Sequence, residues 1–138
     1  MKFQELFGDA KFVTAEETSV NLQMRGAFVL KDTSEKTEIV ICGLGYFDLK
    51  VNGKRVTDAL FLPATSHYHH YDKCACYTLY GEEMSSRIYC VKYDITDFVV
   101  KGKNILAVEL GAGWYTVLHP ELGNLYYGAE KLCYKVTN

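Results

Sequence analysis

The side chains best equipped for chemistry crowd one stretch of the chain, where His67, His69, His70, Asp72, Cys74 and Cys76 follow one another. Imidazole, carboxylate and thiolate are together what zinc accepts. Structural zinc sites usually take their ligands as pairs, roughly two to four residues apart, from two separate chain positions. Here a single contiguous run stands without a second pair, a spacing that favours histidines hydrogen-bonded inside an ordered loop. Glycoside hydrolysis asks for two carboxyl groups about 5 to 10 Å apart across a cleft. Glu16-Glu17 and Glu82-Glu83 are adjacent, and neighbours on an extended strand point to opposite faces, so both pairs read as solvated surface charge. Cys74 beside Lys73 offers a basic neighbour for a thiolate but no oxyanion-hole motif. Gly43-Leu44-Gly45 and Gly111-Ala112-Gly113 lack the spacing and the following helix of a phosphate loop, and read as turns.

The remaining constellation is aromatic. Tyr68, Tyr71, Trp114 and Tyr115 are flanked by His67, His69, His119, Asp58 and Asn124. A sugar presents flat C–H faces with a rim of hydroxyls, so an aromatic platform edged by Asp, Asn and His meets both demands. The competing expectation is that Trp114 packs on the core or on a neighbouring domain.

Strands must position these groups, because the apolar spacing is mostly two. Val20, Leu22 and Met24 alternate with Asn21, Gln23 and Arg25 ahead of the run Ala27–Leu30, giving one long strand or two short ones. Glu38–Cys42 is a β-branched run that Gly43-Leu44-Gly45 is expected to end. Phe47, Leu49 and Val51 share a face opposite Tyr46, Asp48 and Lys50, and Asn52-Gly53 closes a hairpin into Lys54-Arg55-Val56. Further strands are expected over Arg87–Tyr93, Ile105–Leu110 and Lys131–Val136, with a turn or single helical turn at Asp94–Asp97 and a turn at Gly102–Asn104. No segment has a convincing helical period. These strands predict an all-β fold, an antiparallel two-sheet sandwich. The alternation fails from Leu62 to Ser86, a length at which loops tend to be functional, and again from Gly111 to Gly128.

Composition bounds the rest. At 138 residues, 49% apolar and 23% charged, with no linker or repeat, the chain reads as one domain over 1–138. A net charge of -2 gives no electrostatic reason to bind nucleic acid or anionic lipid. No apolar run approaches the roughly 20 residues of a membrane span, and Met1–Glu5 lacks the opening of a signal peptide. Five cysteines cannot all pair. Cys42, Cys90 and Cys133 lie in strand-like stretches, so reduced thiols and a cytoplasmic location are expected. Eleven tyrosines against one tryptophan leave open whether the aromatics serve the core or a ligand.

Several motifs together resemble a known family. Gly43–Val56, read GLGYFDLKVNGKRV, resembles the "GLGYYELYLNGKRV" signature of the N-terminal β-sandwich domain of bacterial α-L-rhamnosidases. Leu62-Pro63 followed by Tyr68 is similar to that family's "L-x-P-x-x-T-x-Y", Tyr93–Phe98 through Asn104 to "YDVTDLLKxGxN", and Leu110–Tyr115 to "LGxGWY". Tyr127-Gly128 and Lys131-Leu132 match the closing strand, so the resemblance covers roughly residues 10 to 138. It implies a jelly roll of the galactose-binding-like kind, an accessory domain ahead of a separate helical-barrel catalytic domain that removes terminal L-rhamnose with inversion. It also implies carbohydrate as a partner, a rhamnose-containing glycan, and calcium as a possible cofactor. The catalytic barrel has no counterpart in these residues. Ala64 directly after Pro63, and a longer connection between Tyr71 and Ile88, depart from the family pattern.

Overall fold

Period-two alternation here resolves into two antiparallel sheets packed face to face. The structure is a computed structural model and describes residues 2–16, 21–64, 68, 88–116 and 127–138. A short helix, α1 (Phe3–Phe7), precedes β1 (Leu22–Leu30), β2 (Glu38–Leu44), β3 (Tyr46–Val51), β4 (Lys54–Arg55), β5 (Val91–Asp94), β6 (Gly102–Gly111) and β7 (Lys131–Thr137). One sheet has the order β1-β6-β3-β4 and the other β5-β2-β7, and every pairing is antiparallel. This is the two-sheet sandwich that the alternation predicts.

The interior between the sheets is filled by the inward positions of both. Phe47, Leu49 and Val51 of β3 and Leu106, Val108 and Leu110 of β6 meet Ile39 and Ile41 of β2 and Leu132 of β7. Tyr134 and Val136 share the Leu132 face, as alternation requires. Gly26 of β1 leaves room for the other sheet, since a Cβ there would lie 2.8 Å from the Tyr134 hydroxyl.

β2 departs from the expected pattern by running two residues further, through Gly43 and Leu44. Its chain breaks at Gly45, where φ is +114° and an added Cβ would lie 2.4 Å from the carbonyl oxygen of Gly111. Only glycine fits a backbone crossing this close. There the chain passes from one sheet to the other and enters β3.

The hairpin after β3 is as expected. Asn52 and Gly53 both have positive φ, +50° and +81°, which is the two-residue turn that matches strand twist. Asn52 also reaches across to the start of β6. Its Nδ2 donates to Oδ1 of Asn104 (2.8 Å) and to the Phe98 carbonyl (2.9 Å), while its Oδ1 accepts from the Ile105 amide (2.9 Å). Asn104 is fully buried, and its carboxamide also bonds Val100 on both backbone groups and the Gly102 carbonyl. This satisfaction is what permits a carboxamide in the interior.

Three other expectations are corrected. Gly102–Asn104 belongs to β6, and the turn precedes it. The strand expected over Arg87–Tyr93 is Val91–Asp94, with Ile88, Tyr89 and Cys90 outside any strand and Tyr89 exposed; Arg87 lies outside the described residues. Its end is set by Asp94, whose Oδ1 accepts from the Thr96 amide and hydroxyl and starts a short 3-10 turn, Thr96–Phe98. Finally, α1 forms although no helical period announces it, with Phe3 and Phe7 stacked at 4.6 Å on one side of the helix.

Candidate functional site

The candidate aromatics divide at a single 3-10 turn, Gly113–Tyr115, which follows β6. Gly113 has φ of +53° and lies against the Tyr46 ring, where a Cβ would be 3.2 Å away. That seat fixes the two residues after it. Tyr115 turns inward and is 8% exposed, whereas Trp114 is 48% exposed.

Tyr115 joins a second apolar cluster on the outer face of the three-stranded sheet. It packs with Phe7, Val40, Cys42, Leu44 and Cys133. Tyr68 meets it edge-on at 5.0 Å, Tyr127 stacks on it at 5.9 Å, and Tyr68 and Tyr127 are 5.2 Å apart. The Tyr127 amide donates to the Tyr115 carbonyl at 3.0 Å, closing the cluster. Burial holds the Tyr127 hydroxyl above its ordinary pKa. Tyr68 and Tyr115 thus pack on one another and on the sheet, and Tyr115 presents no open ring face to a ligand.

Asp58 is exposed on the segment after β4, where its charge bears on Arg55. It belongs to the neighbourhood of the four-stranded sheet rather than to the tyrosine cluster. His67, His69 and Asn124 lie outside the described residues, as do His70, Asp72, Cys74 and Cys76.

Beside Asp58 is a surface that sequence reasoning did not single out. Leu60 is 64% and Phe61 72% exposed, and the Phe61 ring meets Tyr46 edge-on at 5.5 Å. Phe61 has φ of +57°, a conformation that costs a bulky residue roughly 1 to 3 kcal/mol and persists only where the surroundings impose it. The Phe47 amide, bonded to the Leu62 carbonyl, anchors the segment immediately behind it. The signal in the sequence was the apolar run Ala59–Leu62, which follows a hairpin and fits no alternation.

Tyr46, Leu60 and Phe61 form one end of a shallow groove of about 240 Å³ that also contains Asp48, Arg55 and Glu109. Asp48 and Glu109 are shared with a second groove, about 310 Å³, that continues over Gln23, Arg25 and Lys50 on the outer face of the four-stranded sheet. Asp48 is held by Arg55 at 2.9 Å and Lys50 at 3.9 Å. The same ion pair raises the Arg55 pKa. Calcium takes roughly six to eight oxygen ligands. Here Asp48 is already committed to two cations, and among the described residues no three His, Cys, Asp or Glu side chains gather as a metal-holding group. The described residues therefore do not fit the calcium that the resemblance implies. An open, ion-paired groove also lacks the apolar enclosure that keeps a carboxyl protonated as a general acid.

The sequence pattern described as "Alpha-L-rhamnosidase N-terminal domain" matches residues 32–82 and 78–136. An α-L-rhamnosidase of Formosa agariphila is 35% identical over 91 residues, which are 66% of this chain and 8% of that protein. The native α-L-rhamnosidase structure from Aspergillus terreus superposes with a TM-score of 0.73 at 21% identity, covering 99% of this chain and 15% of that one. For the α-L-rhamnosidase from Dictyoglumus thermophilum the TM-score is 0.70 at 23% identity, covering 93% and 14%. At these identities the two structures establish the sandwich fold. The chain spans 8% of the length of the curated relative and about a seventh of each solved one.

Proposed function

The chain belongs to the α-L-rhamnosidase N-terminal domain family, and from that premise we propose that it is a non-catalytic accessory module of an α-L-rhamnosidase-like glycoside hydrolase. Its exposed aromatic corner bears on the catalytic helical barrel of the same polypeptide and helps shape the rim where a rhamnose-containing glycan enters. The observation that carries this reading is the outward exposure of Leu60, Phe61 and Trp114 around the Tyr46 seat. Exposed apolar groups concentrated in this way mark interaction surfaces. The small share of each relative that this chain covers supports a partner within the same polypeptide.

Direct sugar contact is the second reading, and the half-exposed Trp114 favours it. Trp114 is the single tryptophan, so its fluorescence reports on the corner alone. Titration with L-rhamnose to tens of millimolar, with and without calcium, separates the two. The docking reading expects no saturable change. A saturable change would replace it with a sugar-binding corner. Docking also expects the 138-residue chain to self-associate at high concentration, and Phe61→Ser to weaken that association in sedimentation. The free thiols Cys42, Cys90 and Cys133 support a reducing, cytoplasmic setting for the module.

A further inference from the structure

Three thiols from three neighbouring chain segments form a row. Cys42 of β2 is directly opposite Cys133 of β7 in the strand register. On its other side β2 pairs Ile41 with Val91 of β5, and Cys42 and Cys90 are the next residues along the two segments. All three belong to the cluster on the outer face of the three-stranded sheet, and all three are free. Cys42 is the middle member.

The row is asymmetric. Cys42 and Cys133 are 0% exposed, whereas Cys90 is half-buried and lies where the chain enters the edge strand. The neighbouring Cys42 thiol lowers the Cys90 pKa. Burial, and after it the Cys90 charge, pushes the Cys133 thiol up to about 11. The thiolate is the reactive form and a peroxide has to reach it, so the half-buried Cys90, beside two fully buried thiols, is the member of the row that reacts first. Residues directly opposite in antiparallel strands have Cα atoms about 4.5 to 5.5 Å apart, inside the roughly 4.4 to 6.8 Å span of a disulfide.

We propose that Cys90 and Cys42 are an oxidisable pair, which a peroxide closes into a disulfide linking the central strand β2 to the approach to β5. The Cys90 sulfur attacks one peroxide oxygen, the O–O bond breaks, and a sulfenic acid and hydroxide result. The Cys42 sulfur then displaces the sulfenic oxygen, forming the S–S bond while the Cys42 proton leaves with that oxygen as water. In total two thiols give up two electrons to one hydrogen peroxide and yield one disulfide and two waters. Cys133, buried on the far side of Cys42, stays reduced.

The test is treatment of the whole reduced chain with one equivalent of hydrogen peroxide, alkylation, and peptide mapping without reductant. The expected product joins the Cys42 and Cys90 peptides and disappears with dithiothreitol. Cys90→Ala should abolish it, and Cys133→Ala should leave its yield within about twofold. The proposal is overturned if Cys90 goes on to sulfinic acid beside an intact Cys42 thiol. Linkage of Cys42 to Cys133, or of Cys90 to Cys74 or Cys76, overturns it equally. Mapping of the unsubstituted chain decides the matter even if a variant does not fold.

Discussion

β2 is buried on both faces, and the two burials are built differently. Toward the interior, Ile39 and Ile41 join a mostly aliphatic cluster that comes chiefly from paired strands, with Ile95 added from the turn after β5. On the outside, Val40, Cys42 and Leu44 are covered by Phe7 from α1, Tyr115 from the 3-10 turn, and Tyr68 and Tyr127 from connecting chain. No two of those four covering residues come from the same segment. The interior is thus a cooperative product of the sheets, whereas the outer cluster is assembled from pieces, each able to leave at its own cost.

Substitutions on the two faces should separate them. Ile41→Ala, at a fully buried interior position, is expected to cost about 4 kcal/mol and to lower the urea midpoint seen by every probe alike. Phe7→Ala removes a ring that is also nearly fully buried, yet about 2 kcal/mol is expected, because the five-residue helix can detach instead of leaving a cavity. Hydrogen exchange checks this, with the Glu5 and Gly8 amides, bonded to the Lys2 and Gln4 carbonyls, losing protection and those of β3 and β6 keeping it. Equal global losses for both variants would erase the distinction between the faces.

Alkali gives the most selective effect. The outer cluster contains Cys42, Cys133 and Tyr127, all with raised pKa values, while among the described residues the interior adds the Tyr93 hydroxyl, raised by burial and with no hydrogen-bond partner there. An acid whose folded pKa is raised stabilises the fold fully below its unfolded pKa, near 8.5 for a thiol and 10 for tyrosine. That stability is lost as the pH rises through the folded value, about 11 for Cys133. Between pH 8 and 10.5 the chain should lose about 2 kcal/mol in urea unfolding, and Cys133→Ala should flatten the dependence. An unchanged slope in that variant would place the titration elsewhere.

The same contrast explains what could be read beforehand. Phe47, Leu49 and Val51 declared their face because Tyr46, Asp48 and Lys50 between them meet water at least in part, so alternation and burial coincide. β2 has no wet face, and its run through Leu44 carries no alternation to show where it ends. α1 is too short for a period to register, although Phe3 and Phe7 already had the spacing of one helix face. At Trp114-Tyr115 both residues are equally suited to either side, and the choice is made by Gly113 resting on Tyr46, a contact between distant segments. Phe61 was missed because its exposure comes from a positive φ that an aromatic residue does not advertise.

The Asn52–Asn104 bond has a consequence for how the chain finds its pairing. Sliding β3 one residue along β6 would turn Phe47, Leu49 and Val51 to solvent and their neighbours inward. It would also carry Asn52 away from the Ile105 backbone, to which its amide nitrogen and its Oδ1 are both bonded, and away from the Asn104 carboxamide. A buried carboxamide without its partners costs about 1 to 3 kcal/mol. Two asparagines separated by 52 residues therefore act as a proofreading clasp, which closes on one alignment of the strands and penalises the slipped one.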